Sequence, residues 1–223
     1  MQKEHTQKEK PLAPIRVGIV DDYDVVRAGL ERLFARYGDL CIVGSATNGL
    51  EALELVSHNE LDVLVLDIAM PGHGAVDVLE GLLASQPDIK VLIFTGYPEQ
   101  RYALPMIRLG ARGYVDKASP LLDIVEAVRV VASGRSYFSS QVRELMAEAV
   151  RPGVIPGEGV DLTAREFQIF LRLAAGETVT EIARALSLSD VTISSHRSRL
   201  LSKLKLSSNS HLTRFALENH FLT

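Results

Sequence analysis

The sequence contains no tryptophan and only one cysteine, Cys41. A single cysteine excludes an internal disulfide and a zinc site built from several cysteines. Because Cys41 lies in the apolar run 40–43, we expect a small, buried hydrophobic side chain there. No apolar run approaches the roughly 20 residues that cross a bilayer, and the polar residues 1–10 lack the pattern of a secretory signal. These absences predict a cytoplasmic protein with no membrane partner.

An excess of positive charge is also lacking, since the net charge is −4. The charge is uneven, however. Residues 160–223 carry eight basic and six acidic side chains, a balance of +2, so the preceding residues carry −6. An acidic first part followed by a mildly basic second part predicts two domains with different partners.

The first part of the chain alternates short apolar segments with helical patterns. This alternation is typical of α/β proteins, in which helices cover both faces of a parallel sheet. We therefore predict a five-stranded, parallel, doubly wound domain over residues 15–134, preceded by a flexible tail at 1–14. The predicted strands are 15–20, 41–45, 63–66, 91–94 and 113–115, and the predicted helices are 25–36, 49–58, 75–84, 99–109 and 120–133.

The alternation stops after residue 131, and the segment 151–159 is rich in proline and glycine. Such a segment cannot hold a helix or a central strand, so we predict a linker over 135–159, with one further helix within 139–150. Four helical patterns follow at 163–175, 180–185, 190–205 and 208–218. They predict a small all-α, four-helix domain over 160–223, whose first helix opens with a capping box formed by Thr163 and Glu166.

Polar residues follow four of the predicted strands: Asp21 and Asp22, Asp67, Thr95, and Lys117. The carboxyl ends of parallel strands lie at one edge of the sheet, where ligands bind in such folds. Clustered carboxylates repel one another unless a cation lies among them, and Mg2+ prefers oxygen ligands. We therefore expect the three aspartates to bind Mg2+. Such an ion also neutralises a phosphoryl group in transfer, and a carboxylate can serve as the nucleophile. The Lys117 ammonium would then pair with the phosphoryl oxygens, and the Thr95 hydroxyl would hydrogen-bond one of them.

Five short motifs follow one another along residues 15 to about 133: Val20-Asp21-Asp22, Val65-Leu66-Asp67, Met70-Pro71-Gly72, Phe94-Thr95-Gly96 and Tyr114-Val115-Asp116-Lys117. With these motifs, this part of the chain resembles the receiver domain of two-component response regulators. The resemblance implies that Asp67 is the phosphoacceptor and that the main-chain carbonyl of Ala69 joins Asp21, Asp22 and Asp67 as a metal ligand. It also implies that Thr95 and Tyr114 form a switch pair, the hydroxyl moving toward the phosphoryl group as the ring turns inward.

The helical part carries its own set of motifs: Leu162-Thr163-Ala164-Arg165-Glu166, Glu181-Ile182-Ala183, Leu186-Ser187-Leu188-Ser189, Thr192-Ile193, His196-Arg197 and Lys203-Leu204. With these motifs it resembles a LuxR-type helix-turn-helix domain, and the whole chain resembles the NarL/FixJ family. The resemblance implies a sensor histidine kinase as phosphoryl donor, double-stranded DNA as partner, and a homodimer when phosphorylated or bound to DNA.

In a helix-turn-helix the longer helix enters the major groove, which assigns DNA reading to 190–205. Its helical spacing puts Ile193, Leu200 and Leu204 in the core and a serine-rich face opposite. Family members commonly carry lysine where Ser194 stands. We expect Ser194, Ser195 and Ser198 to contact bases or phosphates through their hydroxyls, or to be merely exposed on a weak DNA binder. The cations expected to hold the DNA backbone are Arg197, Arg199, Lys203 and Lys205.

Two other functions remain open from the sequence. The carboxylates could serve a Mg2+-dependent phosphatase, although no second acid–base group is placed beside Asp67. The chain could also be a protein-interaction adaptor with weakened DNA binding.

Pro105 falls inside the predicted fourth helix, where it removes a backbone donor, so we expect that helix to be kinked or to begin late.

Overall fold

The computed structural model describes residues 13–68, 70, 75–86, 88–149 and 162–218. Five parallel strands form one sheet in the order β2-β1-β3-β4-β5. The strands are β1 (Ile15–Val20), β2 (Leu40–Ala46), β3 (Val63–Leu66), β4 (Lys90–Thr95) and β5 (Gly113–Asp116). The helices are α1 (Asp24–Phe34), α2 (Gly49–His58), α3 (Ala75–Ser85), α4 (Glu99–Arg108), α5 (Leu121–Ala132), α6 (Ser140–Ala149), α7 (Ala164–Ala174), α8 (Val179–Ala185), α9 (Asp190–Lys203) and α10 (Asn209–Glu218).

Alternating side chains of the central strands reach opposite faces of the sheet. In β3, Val63 and Val65 pack with α1 and α5, whereas Leu64 and Leu66 pack with α2, α3 and α4. All four are buried, because helices cover both faces. The predicted doubly wound α/β fold is confirmed. No helix in the described ranges is both long enough and apolar enough to cross a membrane.

The expected burial of Cys41 is wrong, since its side chain is exposed. Cys41 lies on β2, which is an outer strand of the sheet. Its neighbour Leu40 is buried with α1, but the segment 41–45 is only partly covered. An apolar run therefore did not guarantee burial where the strand is at the sheet edge.

The segment after α5 packs against the sheet domain. Tyr137 lies beside β5, where its N–H donates to the Arg112 carbonyl and its carbonyl accepts from the Tyr114 N–H, both at 3.0 Å. The Ser139 hydroxyl donates to Glu99 at 2.6 Å, and α6 contacts α4. The first half of the expected linker thus lies against the sheet domain, and residues 150–161 lie outside the described residues.

The C-terminal helices contribute buried apolar side chains of their own. Ile193, Leu200 and Leu204 of the α9 segment are buried, as the helical spacing predicted. The Thr163 hydroxyl accepts from the Glu166 N–H and the Glu166 carboxylate accepts from the Thr163 N–H, which confirms the capping box. A second capping box, which the sequence analysis missed, places Thr178 as N-cap of α8.

The expected late start of the fourth helix is wrong, because α4 begins at Glu99. The Tyr102 N–H donates to the Pro98 carbonyl at 3.3 Å, so the first turn forms ahead of Pro105. Since proline removes a single backbone donor, the turns on either side of it can keep their hydrogen bonds. A kink at Pro105 stays a prediction.

The two parts of the chain pack together through α7, which contacts α3 and α4. Arg165 donates to Asp77 of α3 at 2.7 Å, and the Gln168 amide donates to the same carboxylate at 2.6 Å. Beside this polar contact, the rings of Tyr102 and Phe167 meet edge to face with centroids 5.0 Å apart. Both rings are buried, so the contact is part of one continuous apolar core.

Candidate functional site

Three carboxylates meet at the carboxyl edge of the sheet. Val20 of β1 is paired with Leu66 of β3, so the residues that follow, Asp21 and Asp67, lie side by side. The Asp67 N–H donates to the Val20 carbonyl at 2.9 Å and holds this register past the strand ends. Oxygen atoms of Asp21, Asp22 and Asp67 lie within 4.8 Å of one another. Strand register alone therefore concentrates negative charge at one point.

Lys117 counters this charge from the end of β5. Its ammonium lies 2.7 Å from Asp21 and 2.8 Å from Asp67, and its backbone N–H is fixed by the Thr95 carbonyl at 2.8 Å. Partial burial acts to lower the pKa of Lys117, but its hydrogen bonds to Asp21 and Asp67 together raise the pKa above its usual value. The side chain is therefore a permanent cation between two buried carboxylates.

The carboxylate cluster fits a hard divalent cation. The Asp22 Oδ1 atom is buried and has no hydrogen-bond partner among the described residues. Burial, followed by the charges of Asp67 and Asp21, raises the pKa of Asp22, although a backbone hydrogen bond and the charge of Lys117 act to lower it. Mg2+ prefers such oxygen ligands and usually keeps several waters. Ala69, the expected carbonyl ligand, lies outside the described residues.

Thr95 and Tyr114 lie behind the cluster on neighbouring strands. Thr95 is fully buried, and its hydroxyl finds no hydrogen-bond partner in the part of the chain that the structure describes. The Tyr114 ring is also buried, and its hydroxyl donates to the Tyr97 carbonyl at 2.8 Å. Burial raises the pKa of Tyr114 well above its usual value, so the phenol stays a hydrogen-bond donor. Burial of the ring and the hydrogen bond of its hydroxyl together fix the Tyr114 side chain.

The serine-rich face of α9 is open to solvent. Ser194, Ser195 and Ser198 are all exposed, as the sequence predicted. The Ser195 hydroxyl donates to the Val191 carbonyl at 2.9 Å, and the Ser198 hydroxyl donates to the Ser194 carbonyl at 3.0 Å. Two of the three hydroxyl protons are therefore directed into the helix, and their oxygens present lone pairs outward.

The four cations expected to hold a DNA backbone fall into two groups. Arg197 donates to Asn209 at 2.6 Å and Lys203 donates to Glu166 at 2.6 Å, so both contact other helices of the same domain. Arg199 and Lys205 are exposed. Lys205 follows the end of α9 with a left-handed φ of 54°, which points the chain away from the helix axis.

Both parts of the chain match models of known protein families. A model of the response regulator receiver domain matches residues 17–129, and one of bacterial regulatory proteins of the luxR family matches residues 160–216. The chain belongs to the NarL/FixJ family of response regulators. It is therefore a receiver domain joined to a LuxR-type DNA-binding domain.

Curated relatives support this assignment over nearly the full chain. Response regulator GacA of Pseudomonas viridiflava is 35% identical over 206 residues, 92% of this chain and 96% of its own. Response regulator UvrY of Escherichia coli is 32% identical, covering 92% and 94%. RcsB of Salmonella enterica serovar Typhimurium, solved bound to promoter rprA with a phosphomimetic, shares the fold with a TM-score of 0.73. Its identity is 20%, over 91% of this chain and 98% of that one.

In this response regulator a series of ring contacts leads from Tyr97, whose carbonyl accepts from the Tyr114 hydroxyl, to the DNA-binding domain. The Tyr97 ring stacks on Tyr102 with centroids 4.5 Å apart, and Tyr102 meets Phe167 of α7. Phe167 in turn contacts Phe170, which contacts Phe215 of α10. Sequence reasoning missed these residues as functional candidates. Their apolar spacing marks them as buried, but no local pattern indicates a contact between domains.

The ion pair between Glu166 and Lys203 gives the first testable prediction. Glu166→Gln keeps the α7 cap but loses a charge-assisted bond to Lys203, so we expect a loss of about 1–3 kcal/mol in the free energy of unfolding. Burial alone would raise the pKa of Glu166, but the bonds from Lys203 and Thr163 lower it below the usual 4.5. This contribution is therefore present above about pH 4.5 and lost as pH falls further.

Denaturant titrations followed by circular dichroism at pH 7 and pH 4 measure this difference. Glu181→Gln is the matched control, because Glu181 closes an equivalent capping box on α8 and is exposed. At pH 7, Glu181→Gln should lower the free energy of unfolding clearly less than Glu166→Gln does. Equal losses for the two variants would show that the Lys203 contact contributes nothing.

Proposed function

We propose that Asp67 accepts a phosphoryl group from a sensor histidine kinase and that this reaction modulates sequence-specific DNA binding by the C-terminal domain. The observation that supports it most directly is the Lys117 ammonium held between Asp21 and Asp67. In the transfer, an Asp67 carboxylate oxygen forms a bond to phosphorus while the bond from phosphorus to the kinase imidazole nitrogen breaks. The electron pair of that bond returns to the imidazole, and Asp67 becomes an acyl phosphate.

The residues around Asp67 fit separate roles in this step. Asp21, Asp22 and Asp67 would hold Mg2+, which when bound neutralises charge on the phosphoryl oxygens. Lys117 is within reach to pair with one phosphoryl oxygen as a point charge. The Thr95 hydroxyl, which has no hydrogen-bond partner among the residues that the structure describes, would donate to another, and Tyr114 fills the space behind it. Ala69 remains the proposed main-chain ligand, on the family resemblance alone.

We place the receiver domain at 15–134 and the DNA-binding domain at 160–223, with a tail at 1–14 and a connecting segment at 135–159. On the family's pattern the protein acts in the cytoplasm as a regulator rather than an enzyme with turnover. A dimer binding two half-sites about one helical turn apart, or a multiple of it, would match the two-fold symmetry of such regulators.

For DNA binding, we propose that Ser194, Ser195 and Ser198 face the major groove. Arg199 and Lys205 are placed to contact phosphates, and Arg197 and Lys203 would do so only by leaving Asn209 and Glu166.

The adaptor alternative has one observation in its favour. Two of the expected phosphate contacts are engaged within the domain, and each lost phosphate contact removes about 0.9 from the salt slope of binding. A mobility-shift assay of the phosphorylated protein on genomic fragments at low salt separates the two functions. A shift supports the regulator, and its absence favours the adaptor.

The second prediction concerns the phosphoacceptor. Incubation with a small acyl-phosphate donor and Mg2+ should add one phosphoryl group per chain to the wild type and none to Asp67→Asn, as measured by intact mass. Asp24→Asn is the matched control, because Asp24 lies next to the cluster with an exposed side chain paired to Arg27. Continuous release of phosphate from esters by the wild type would instead support a Mg2+-dependent phosphatase. Modification of Asp67→Asn to the wild-type level would place the acceptor elsewhere.

The third prediction concerns the metal. Calorimetric titration of the unphosphorylated full chain with Mg2+ should show one site, and Asp22→Asn should weaken it about tenfold or more, because a direct carboxylate ligand is lost. Asp24→Asn should bind as the wild type does. Unchanged affinity in Asp22→Asn would remove Asp22 from the metal site.

A further inference from the structure

Val191 is an apolar side chain on the surface that should face DNA. It lies in the first turn of α9 and is 76% exposed. Single exposed apolar residues are common on protein surfaces, so exposure alone is weak evidence for a function. The residues around Val191 are stronger evidence. Val191 lines a shallow depression of about 580 Å3 together with Asp190, Ser194, Ser195, Ser198 and Arg199.

Two of the serine hydroxyls in this depression act as acceptors, whereas the Arg199 guanidinium lines it as a donor. Because the Ser195 and Ser198 hydroxyls donate to helix carbonyls, their oxygens are left as acceptors. In the major groove, adenine and cytosine present amino donors, whereas guanine presents two acceptors. Thymine alone presents a methyl group there. A valine beside serine acceptors is therefore complementary to a base step that contains A·T. The thymine methyl group would contact the valine, and the adenine amino group would donate to a serine oxygen.

Position on the helix supports the same assignment. The N-terminal residues of a recognition helix contact base edges, and Val191 lies in the first turn of α9. Ser195 is one turn further along, with its hydroxyl bonded to the Val191 carbonyl, so the two side chains share one face. No acidic group other than Asp190 lines the described depression, and the Asp190 carboxylate accepts a hydrogen bond from the Thr180 hydroxyl at 2.7 Å.

We propose that Val191 is a specificity-determining residue that contacts the 5-methyl group of one thymine in each half-site, with the Ser195 oxygen accepting from the amino group of a neighbouring adenine. This inference rests on the proposed DNA-binding function and adds the base chemistry that α9 reads. It assigns to an apolar contact part of the recognition that a lysine at position 194 would otherwise supply through charge.

The test begins with binding sites selected from random double-stranded DNA by the phosphorylated full chain. Each thymine of a selected site is then replaced in turn by deoxyuridine, which removes only the methyl group. We expect one position per half-site at which the replacement weakens wild-type binding about threefold to fourfold, the loss expected for one methyl group leaving an apolar contact. The other thymines should tolerate the replacement.

Three variants assign that methyl group to Val191. Val191→Ala should bind the thymine and deoxyuridine sites nearly equally, whereas Val191→Thr keeps one methyl and should retain the preference. Val25→Ala is the matched control, because Val25 is equally exposed at 76% but lies on α1. It should discriminate as the wild type does. Circular dichroism of the variants checks that they fold. The deoxyuridine series on the wild type tests the inference even if a variant does not fold.

The outcomes separate this inference from the function beneath it. Sequence-specific binding in which no thymine is sensitive to deoxyuridine overturns the role of Val191. So does a sensitivity that Val191→Ala retains in full. Recovery of no preferred sequence, or no binding to DNA at low salt, overturns the DNA-binding function itself and the inference with it.

Discussion

The ammonium of Lys117 between Asp21 and Asp67 is the interaction on which the rest of the site depends. The register of β1 against β3 brings two buried carboxylates together, and like charges in such a place cannot persist without a cation. Lys117 supplies one positive charge from the end of β5. Because the cluster contains three carboxylates, a second cation is needed to balance the charge of Asp22. On the function proposed above, the same arrangement would also attract a phosphoryl group accompanied by Mg2+.

This cluster is joined to the DNA-binding domain by packed side chains. The Tyr114 hydroxyl reaches the backbone at Tyr97, and the Tyr97 ring stacks on Tyr102, which meets Phe167 of the output domain. Nearby, Asp77 accepts from both Arg165 and Gln168. A rearrangement of Thr95 and Tyr114 would therefore disturb contacts that hold the two domains together. Coupling between such sites is typically worth about 1–3 kcal/mol, a five- to 150-fold change in affinity.

Much of the fold was predictable because it depends on local patterns. Alternating apolar segments and helical periods gave the strands and helices to within a few residues, and the acids at strand ends gave the cluster. The core positions of α9, such as Ile193 and Leu200, also followed from spacing alone. The helical pattern also placed the start of α4 at residue 99, whereas the expectation that Pro105 would delay this start was wrong, because proline removes only one backbone donor and the first turn forms ahead of it.

The remaining features depend on tertiary contacts that no local pattern encodes. Cys41 is exposed because β2 lies at the sheet edge, and strand order is a property of the assembled sheet. Lys203 meets Glu166, 37 residues earlier in the chain, so helical spacing alone could not predict this ion pair. The direction of the Ser195 hydroxyl likewise depends on a competition between the helix carbonyl and solvent that composition does not decide.

One measurement tests the central claim most directly: the affinity of the full chain for a selected DNA site, with and without acyl-phosphate treatment, in the wild type and in Lys117→Gln. We predict that treatment changes the DNA affinity of the wild type at least fivefold, the lower end of typical coupling. The variant, lacking the cation beside Asp67, should show little or no change. A treated variant whose DNA affinity shifts as much as that of the wild type would contradict the account, because the switch would then operate without Lys117.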